Sequence, residues 1–91
     1  MAYVWDDKKA AANLKEHDVS FAEASTVFDD PLFVVVADDD HSAAERRFII
    51  MGESSDTRLL VVTYAERKTG IRLISAREAT PRERKNYEKE I

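Results

Sequence analysis

Arginine recurs in the last third of the chain inside an apolar, β-rich stretch, Glu66-Arg67-Lys68-Thr69-Gly70-Ile71-Arg72-Leu73-Ile74-Ser75-Ala76-Arg77-Glu78-Ala79-Thr80. Burying an unpaired charge in a strand is costly, so guanidiniums placed there need anionic partners. Two readings compete. In one, Arg72 and Arg77 pair with Glu66, Glu78 or acids of the N-terminal half and merely close the sheet. In the other, several arginines converge with Glu66 and Tyr64 on one phosphate. Guanidiniums suit that task through bidentate contact with non-bridging oxygens and by stabilising the added charge of a pentacoordinate transition state. A nearby carboxylate or imidazole would take the proton from a ribose 2′-hydroxyl. RNA then supplies its own nucleophile, and no metal is required.

Other chemistries find little support. The two histidines, His17 and His41, form no HxxxH pair, and there is no cysteine. Asp38-Asp39-Asp40-His41 reads as a solvated turn more readily than as a ligand cluster, because adjacent loop carboxylates usually lie in water. Gly52 and Gly70 are the only glycines, too few for a glycine-rich phosphate loop. No metal or cofactor is expected. Lys8, Lys9 and Lys15 make a solvated helix face. Trp5 reads as a core or interface residue before a base-stacking platform.

The elements that must position these residues can be read from spacing. Tyr3-Val4-Trp5 is a short first strand, and Asp6 caps a helix over Asp7–His17. Asp18 follows in a left-handed conformation, which Asp tolerates better than most residues. Ser20 and Glu23 form a capping box for a second helix from Phe21 to about Phe28, ended by Pro31. Strands are predicted over Leu32–Ala37, Arg46–Gly52, Arg58–Ala65 and Ile71–Ala76, joined by short turns into an antiparallel meander. Thr80-Pro81-Arg82-Glu83 starts a last helix with a capping box and proline at its first position. The order β-α-α-β-β-β-β-α predicts an α+β domain with helices over one sheet face. Strand alternation places Arg46 with Phe48 and Ile50, and Arg47 with Ile49 and Met51. It also sets Arg72 with Ile74 and Ala76, and Arg77 on the opposite side.

Ninety-one residues, 44% hydrophobic and 35% charged, fit a single domain over 1–91 with a modest core. The absence of cysteine fits a reducing, cytoplasmic setting, and neither a signal peptide nor a membrane span is apparent. The net charge of −4 conceals a strong asymmetry. Residues 1–45 carry 3 Lys against 11 acids, a balance of −8; residues 46–91 carry 11 Lys and Arg against 7 acids, a balance of +4. A generic nucleic-acid coat is disfavoured, yet a local basic face remains available.

Several motifs lie at the spacing of a known family. They are Trp5-Asp6 with Lys8 and Asn13; His17 with Val19-Ser20-Phe21; Ala24 with Val27-Phe28 and Asp30-Pro31; and Asp40-His41-Ser42. Further along stand Arg46-Arg47-Phe48, Gly52, Leu60-Val61-Val62, Glu66-Arg67, Ile71-Arg72, Ile74-Ser75-Ala76-Arg77, Ala79-Thr80, Glu83-Arg84 and Tyr87-Glu88. Across nearly the whole chain the pattern resembles the BrnT toxins of bacterial type II toxin–antitoxin systems; Asp18 departs from the glycine common in that family. The resemblance implies a RelE-like fold, with two N-terminal helices, an antiparallel sheet and one C-terminal helix. It implies a metal-independent endoribonuclease that slows growth by cleaving RNA. It also implies neutralisation by a BrnA-like ribbon-helix-helix antitoxin, with a toxin–antitoxin heterotetramer as a candidate assembly. That complex would repress its own operon, reaching operator DNA through the antitoxin.

By position, the resemblance assigns the active site to Glu66, Arg67, Arg72 and Arg77, with Arg46 and His41 behind them. Glu66 is then the candidate base, His41 the candidate acid, and the arginines the phosphate contacts. Two other classes stay open. A non-catalytic partner-binding module or corepressor would keep the fold without activity. A direct DNA binder is disfavoured by the charge and the lack of a recognition-helix pattern.

Overall fold

The protein is described here by a computed structural model that covers residues 2–39 and 45–90. Its elements follow the predicted order: β1 (Tyr3–Val4), α1 (Asp7–His17), α2 (Phe21–Ser25), a 3-10 turn over Thr26–Asp29, β2 (Val34–Ala37), β3 (Arg47–Glu53), β4 (Leu59–Arg67), β5 (Gly70–Glu78) and α3 (Pro81–Glu90). The fold class is the predicted α+β arrangement. Strands β2 to β5 form the expected antiparallel meander in a sheet ordered β1-β5-β4-β3-β2, while β1 adds a parallel edge beside β5. Gly70, at φ 137, lets β1 come this close, since a Cβ there would lie 2.2 Å from the Ala2 carbonyl oxygen. Among the described residues, no helix is long and apolar enough to cross a membrane.

Local chemistry explains the helices. The Asp6 carboxylate accepts from the Lys8 and Lys9 amides at 2.8 and 3.1 Å, satisfying two orphan donors of α1. Asp18 ends the helix at φ 56, with its N–H donating to the Leu14 carbonyl at 2.9 Å. Ser20 accepts from the Glu23 amide at 3.0 Å, but the Glu23 side chain does not close the predicted capping box. It reaches instead to the Ser54 hydroxyl at 2.7 Å and to the Arg58 guanidinium. The predicted second helix also tightens after Ser25 into its 3-10 turn. Thr26 Oγ1 there donates to the Glu23 carbonyl at 2.6 Å and accepts from the Ser55 amide at 2.8 Å.

The core lies between these helices and one face of the sheet. Phe21, Ile50, Leu60, Leu73, Val19, Val27 and Val62 are fully buried, each worth roughly 1.5–3 kcal/mol relative to exposure. Trp5 meets Phe21 edge to face at 6.0 Å, as a partly exposed flank of this core. Tyr3, Phe28, Tyr64 and Phe48 continue it as a chain of ring contacts 5.0 to 5.5 Å apart. Against the prediction, α3 does not join the covered face. Its Glu83 borders a cavity of about 220 Å³ on the other face, with Val34, Val36, Ile49, Met51 and Val61. Thr80 and Glu83 do form the predicted capping box, with bonds of 2.9 and 3.1 Å. The Tyr87 hydroxyl then ties the helix to Asp30 at 2.6 Å.

One irregularity controls the site. Thr63 pairs with Ser75 and Tyr64 with Leu73, so Ile74 is an extra residue in β5, a bulge. Alternation restarts there. Arg72 faces Ala65 and Arg77 faces Val61, and both cross-strand partners lie on the same face of β4. The predicted separation of Arg72 from Arg77 is therefore corrected: they share the face away from the core.

Beyond the end of β1 the outer edge of β5 is latched by Asn13. Its amide donates to the Ala76 and Val19 carbonyls, both at 2.9 Å, and accepts from the Ala76 N–H at 3.0 Å. Asn13→Ala leaves these buried groups unsatisfied and should cost about 2–4 kcal/mol in urea unfolding. Asn13→Asp should cost at least as much, since a carboxylate would face two carbonyls with nothing to donate. A loss below about 1 kcal/mol in both variants would refute the latch.

Candidate functional site

Where β3 begins, β4 ends and β5 begins, three arginines share the open face. Arg47 and Arg72 both pair across to Ala65, and Arg67 lies two residues further along β4. Strand spacing sets the outer two backbones about 10 Å apart. The small Ala65 between them leaves room for their side chains to lean inward. They meet over one carboxylate, that of Glu45. Arg72 Nη2 donates to Glu45 Oε1, Arg47 Nε stands 4.0 Å from the same oxygen, and Arg67 Nη2 stands 3.5 Å from Oε2. Burial pushes the Glu45 carboxyl up, but the Arg72 hydrogen bond and the three positive charges outweigh it and hold the group below its usual range. Such an anion is a poor proton acceptor.

Glu66 lies on the opposite face, across from Ile71. It is exposed, and close enough to Tyr64 that its charge, after burial, pushes the phenol up. The two faces meet at the β4–β5 turn. There a shallow groove of about 310 Å³ is lined by Glu66, Arg67, Gly70 and Ile71. The groove thus has the exposed Glu66 carboxylate on one side and Arg67, one member of the arginine cluster, on the other.

The remaining predicted residues fall elsewhere. Arg46 precedes β3 and stacks over the Phe48 ring at 5.5 Å, on the covered-face side. Arg77 shares the open face but sits toward the other end of β5, where Glu83 takes it in two hydrogen bonds of 2.7 and 3.0 Å. His41 lies outside the described residues, as does Asp40 of the acidic cluster. The structure thus brings Glu66, Arg67 and Arg72 to one end of the sheet and leaves Arg77 apart. Sequence reasoning missed Glu45 and passed over Arg47. The alternation that set Arg47 opposite Arg46 was the available signal; Glu45 gave none, since it lies outside any strand. Among the described residues, no group of three His, Asp or Glu side chains is arranged to hold a metal ion.

The sequence matches the model of the BrnT family, the ribonuclease toxin of type II toxin–antitoxin systems, over residues 5–83. The chain belongs to the BrnT family. No curated protein matches the sequence. The crystal structure of the Brucella abortus ribonuclease toxin BrnT superposes with a TM-score of 0.66 at 20% identity, over 88% of this chain and 99% of that one. At that identity the likeness shows a shared fold. Membership of the BrnT family further implies an antitoxin partner for this chain.

The Arg77–Glu83 pair carries a pH signature. Its hydrogen bond to Arg77, against the cost of burial, lowers the Glu83 carboxyl to about 2. A lowered folded-state value means stability that is fully present above the unfolded value near 4.5 and lost as pH falls toward 2. The unfolding free energies of the wild type and Glu83→Gln should therefore differ at pH 6, with the gap closing between about pH 4.5 and 2. Solvent screening of the half-exposed Arg77 keeps that gap near 1 kcal/mol or less. A gap independent of pH would contradict the pairing.

Proposed function

We propose that this BrnT-family chain is an endoribonuclease that needs no metal, cleaving RNA by attack of a ribose 2′-hydroxyl on the adjoining phosphate. The observation that carries the reading is the convergence of Arg47, Arg67 and Arg72 beside the groove that holds Glu66. In this assignment the arginines contact the phosphate and stabilise the charge of the pentacoordinate state, worth about 10²- to 10³-fold for each well-placed donor. Glu66, exposed and without a hydrogen-bond partner among the described residues, takes the 2′-hydroxyl proton. Arg46, which precedes β3 and stacks on Phe48, is assigned a supporting role behind them. His41 is assigned as the acid for the leaving 5′-oxygen. Arg77 is assigned as the anchor of α3, supporting the site from a distance.

Within the cell the proposal places the chain in the cytoplasm, arresting growth when its antitoxin is absent. The antitoxin is proposed to be BrnA-like, with a ribbon-helix-helix part that carries the operator contacts of the complex. The acidic N-terminal half offers a surface for a basic segment of that partner.

A second reading has one observation in its favour, because the arginine cluster is already occupied by the chain's own carboxylate. A non-catalytic corepressor would need no more than that. Purified protein in EDTA separates the two. The wild type should cleave RNA and leave 2′,3′-cyclic phosphate ends. Glu66→Gln and Arg72→Ala, checked for folding by circular dichroism, should each lose about 10²-fold or more. Folded variants with undiminished cleavage would remove these residues from the site. Intact RNA together with tight antitoxin binding would select the corepressor.

A further inference from the structure

We propose that Glu45 stands in the position of a substrate phosphate and acts as a built-in competitor that an incoming phosphate must displace. The inference rests on reading the arginine cluster as the RNA-phosphate site. Both oxygens of Glu45 face guanidiniums, Oε1 toward Arg72 and Arg47 and Oε2 toward Arg67. A carboxylate and two non-bridging phosphate oxygens present similar geometry to a guanidinium, which is why arginine pairs with either.

The two sides of this contact are anchored unequally. The three arginines stand on three paired strands, fixed by ladder hydrogen bonds on β3, β4 and β5. Glu45 lies two residues before β3, outside the ladder. Its side chain can leave without breaking a strand pair, and the strand backbones that carry the three arginines stay in place. Spare donor capacity also remains in the cluster. Arg72 Nε is buried and has no hydrogen-bond partner among the described residues. A carboxylate offers two oxygens, and a phosphate that replaces it brings further acceptors toward such a donor.

Protonation does not clear the site near neutral pH, because the surrounding positive charge keeps Glu45 ionised. Displacement must come from another anion. A single phosphodiester carries the same charge as the carboxylate it replaces, so that exchange gains little by itself. Flanking contacts, such as those in the groove beside Glu66, must tip the balance. The device therefore discriminates against stray monoanions and favours a continuous RNA chain.

The test compares wild type, Glu45→Gln and Arg72→Ala by calorimetric titration with inorganic phosphate and with a 2′-O-methyl oligoribonucleotide that cannot be cleaved. Glu45→Gln should bind both at least about tenfold more tightly, since a charge-assisted contact no longer competes. Arg72→Ala should lose phosphate binding. Equal or weaker binding by Glu45→Gln, or no phosphate binding by any of the three, overturns the proposal. If Glu45→Gln fails to fold, carbon-detected NMR of the wild type decides. Phosphate should shift the Glu45 carboxyl carbon together with the Arg72 Nε–H, and an unmoved Glu45 signal counts against displacement. Cleavage plays no part in these readouts. Tighter binding by Glu45→Gln in a protein that leaves RNA intact upholds the competitor and sinks the nuclease, and active wild type with no gain in Glu45→Gln does the reverse.

Discussion

Strand β5 carries one residue more than β4 can pair, and the position of that residue decides what each face of the sheet presents. With Ile74 left over, Ile71, Leu73 and Ala76 all turn toward the helices, while Arg72 and Arg77 both emerge on the far side. Uninterrupted alternation would have driven Arg77 into the face that buries Leu60 and Val62, where an unpaired guanidinium is prohibitive. The same shift brings Ala76 under α1, where the Asn13 amide satisfies its backbone groups. Sheet register, helix docking and arginine placement thus follow from one local irregularity.

Much of the fold was legible because each signal was short-range. Asp6, Ser20, Thr80 and Pro81 announce helix starts through contacts spanning two or three residues, and the order of elements follows from runs of apolar residues. What escaped was non-local. Glu23 looks like a capping-box residue, yet a partly buried arginine 35 positions away competes for it and wins, because a charge-assisted pair outweighs a surface cap. α3 shows a capping box but little apolar character, so nothing in its sequence indicates which face it approaches. The site was legible by residue type and not by grouping. Arginine recurrence marked the region, but two-residue periodicity cannot reveal a bulge, and it misjudged how Arg72 and Arg77 relate. Glu45, lying outside every strand, belongs to no periodic pattern.

Part of the polarised charge of the sequence is resolved in the folded chain. Acids from the first half meet partners in the second: Glu23 holds Arg58, Asp30 holds Tyr87, and Glu45 holds Arg67 and Arg72. Two of these contacts fasten the body of the protein. Asp30 gathers the Leu32 and Glu53 amides and the Tyr87 hydroxyl. Burial would raise its carboxyl, but these hydrogen bonds hold it below the usual range. Gly52 lets that turn approach, since a Cβ there would press 3.1 Å from the Val27 carbonyl oxygen. The third contact is different in kind, because one carboxylate there faces guanidiniums from three strands.

The way α3 is fastened divides the molecule into two energetic layers. Among its described side chains only Tyr87 is buried, and the helix is held through polar contacts at Arg77 and Asp30. Those contacts are few and polar, whereas the strands are held by continuous ladders over a buried apolar core. The apolar strip of Val34, Val36, Ile49, Met51 and Val61 thus ends at a charged border, the Glu83 carboxylate, rather than at a second apolar surface.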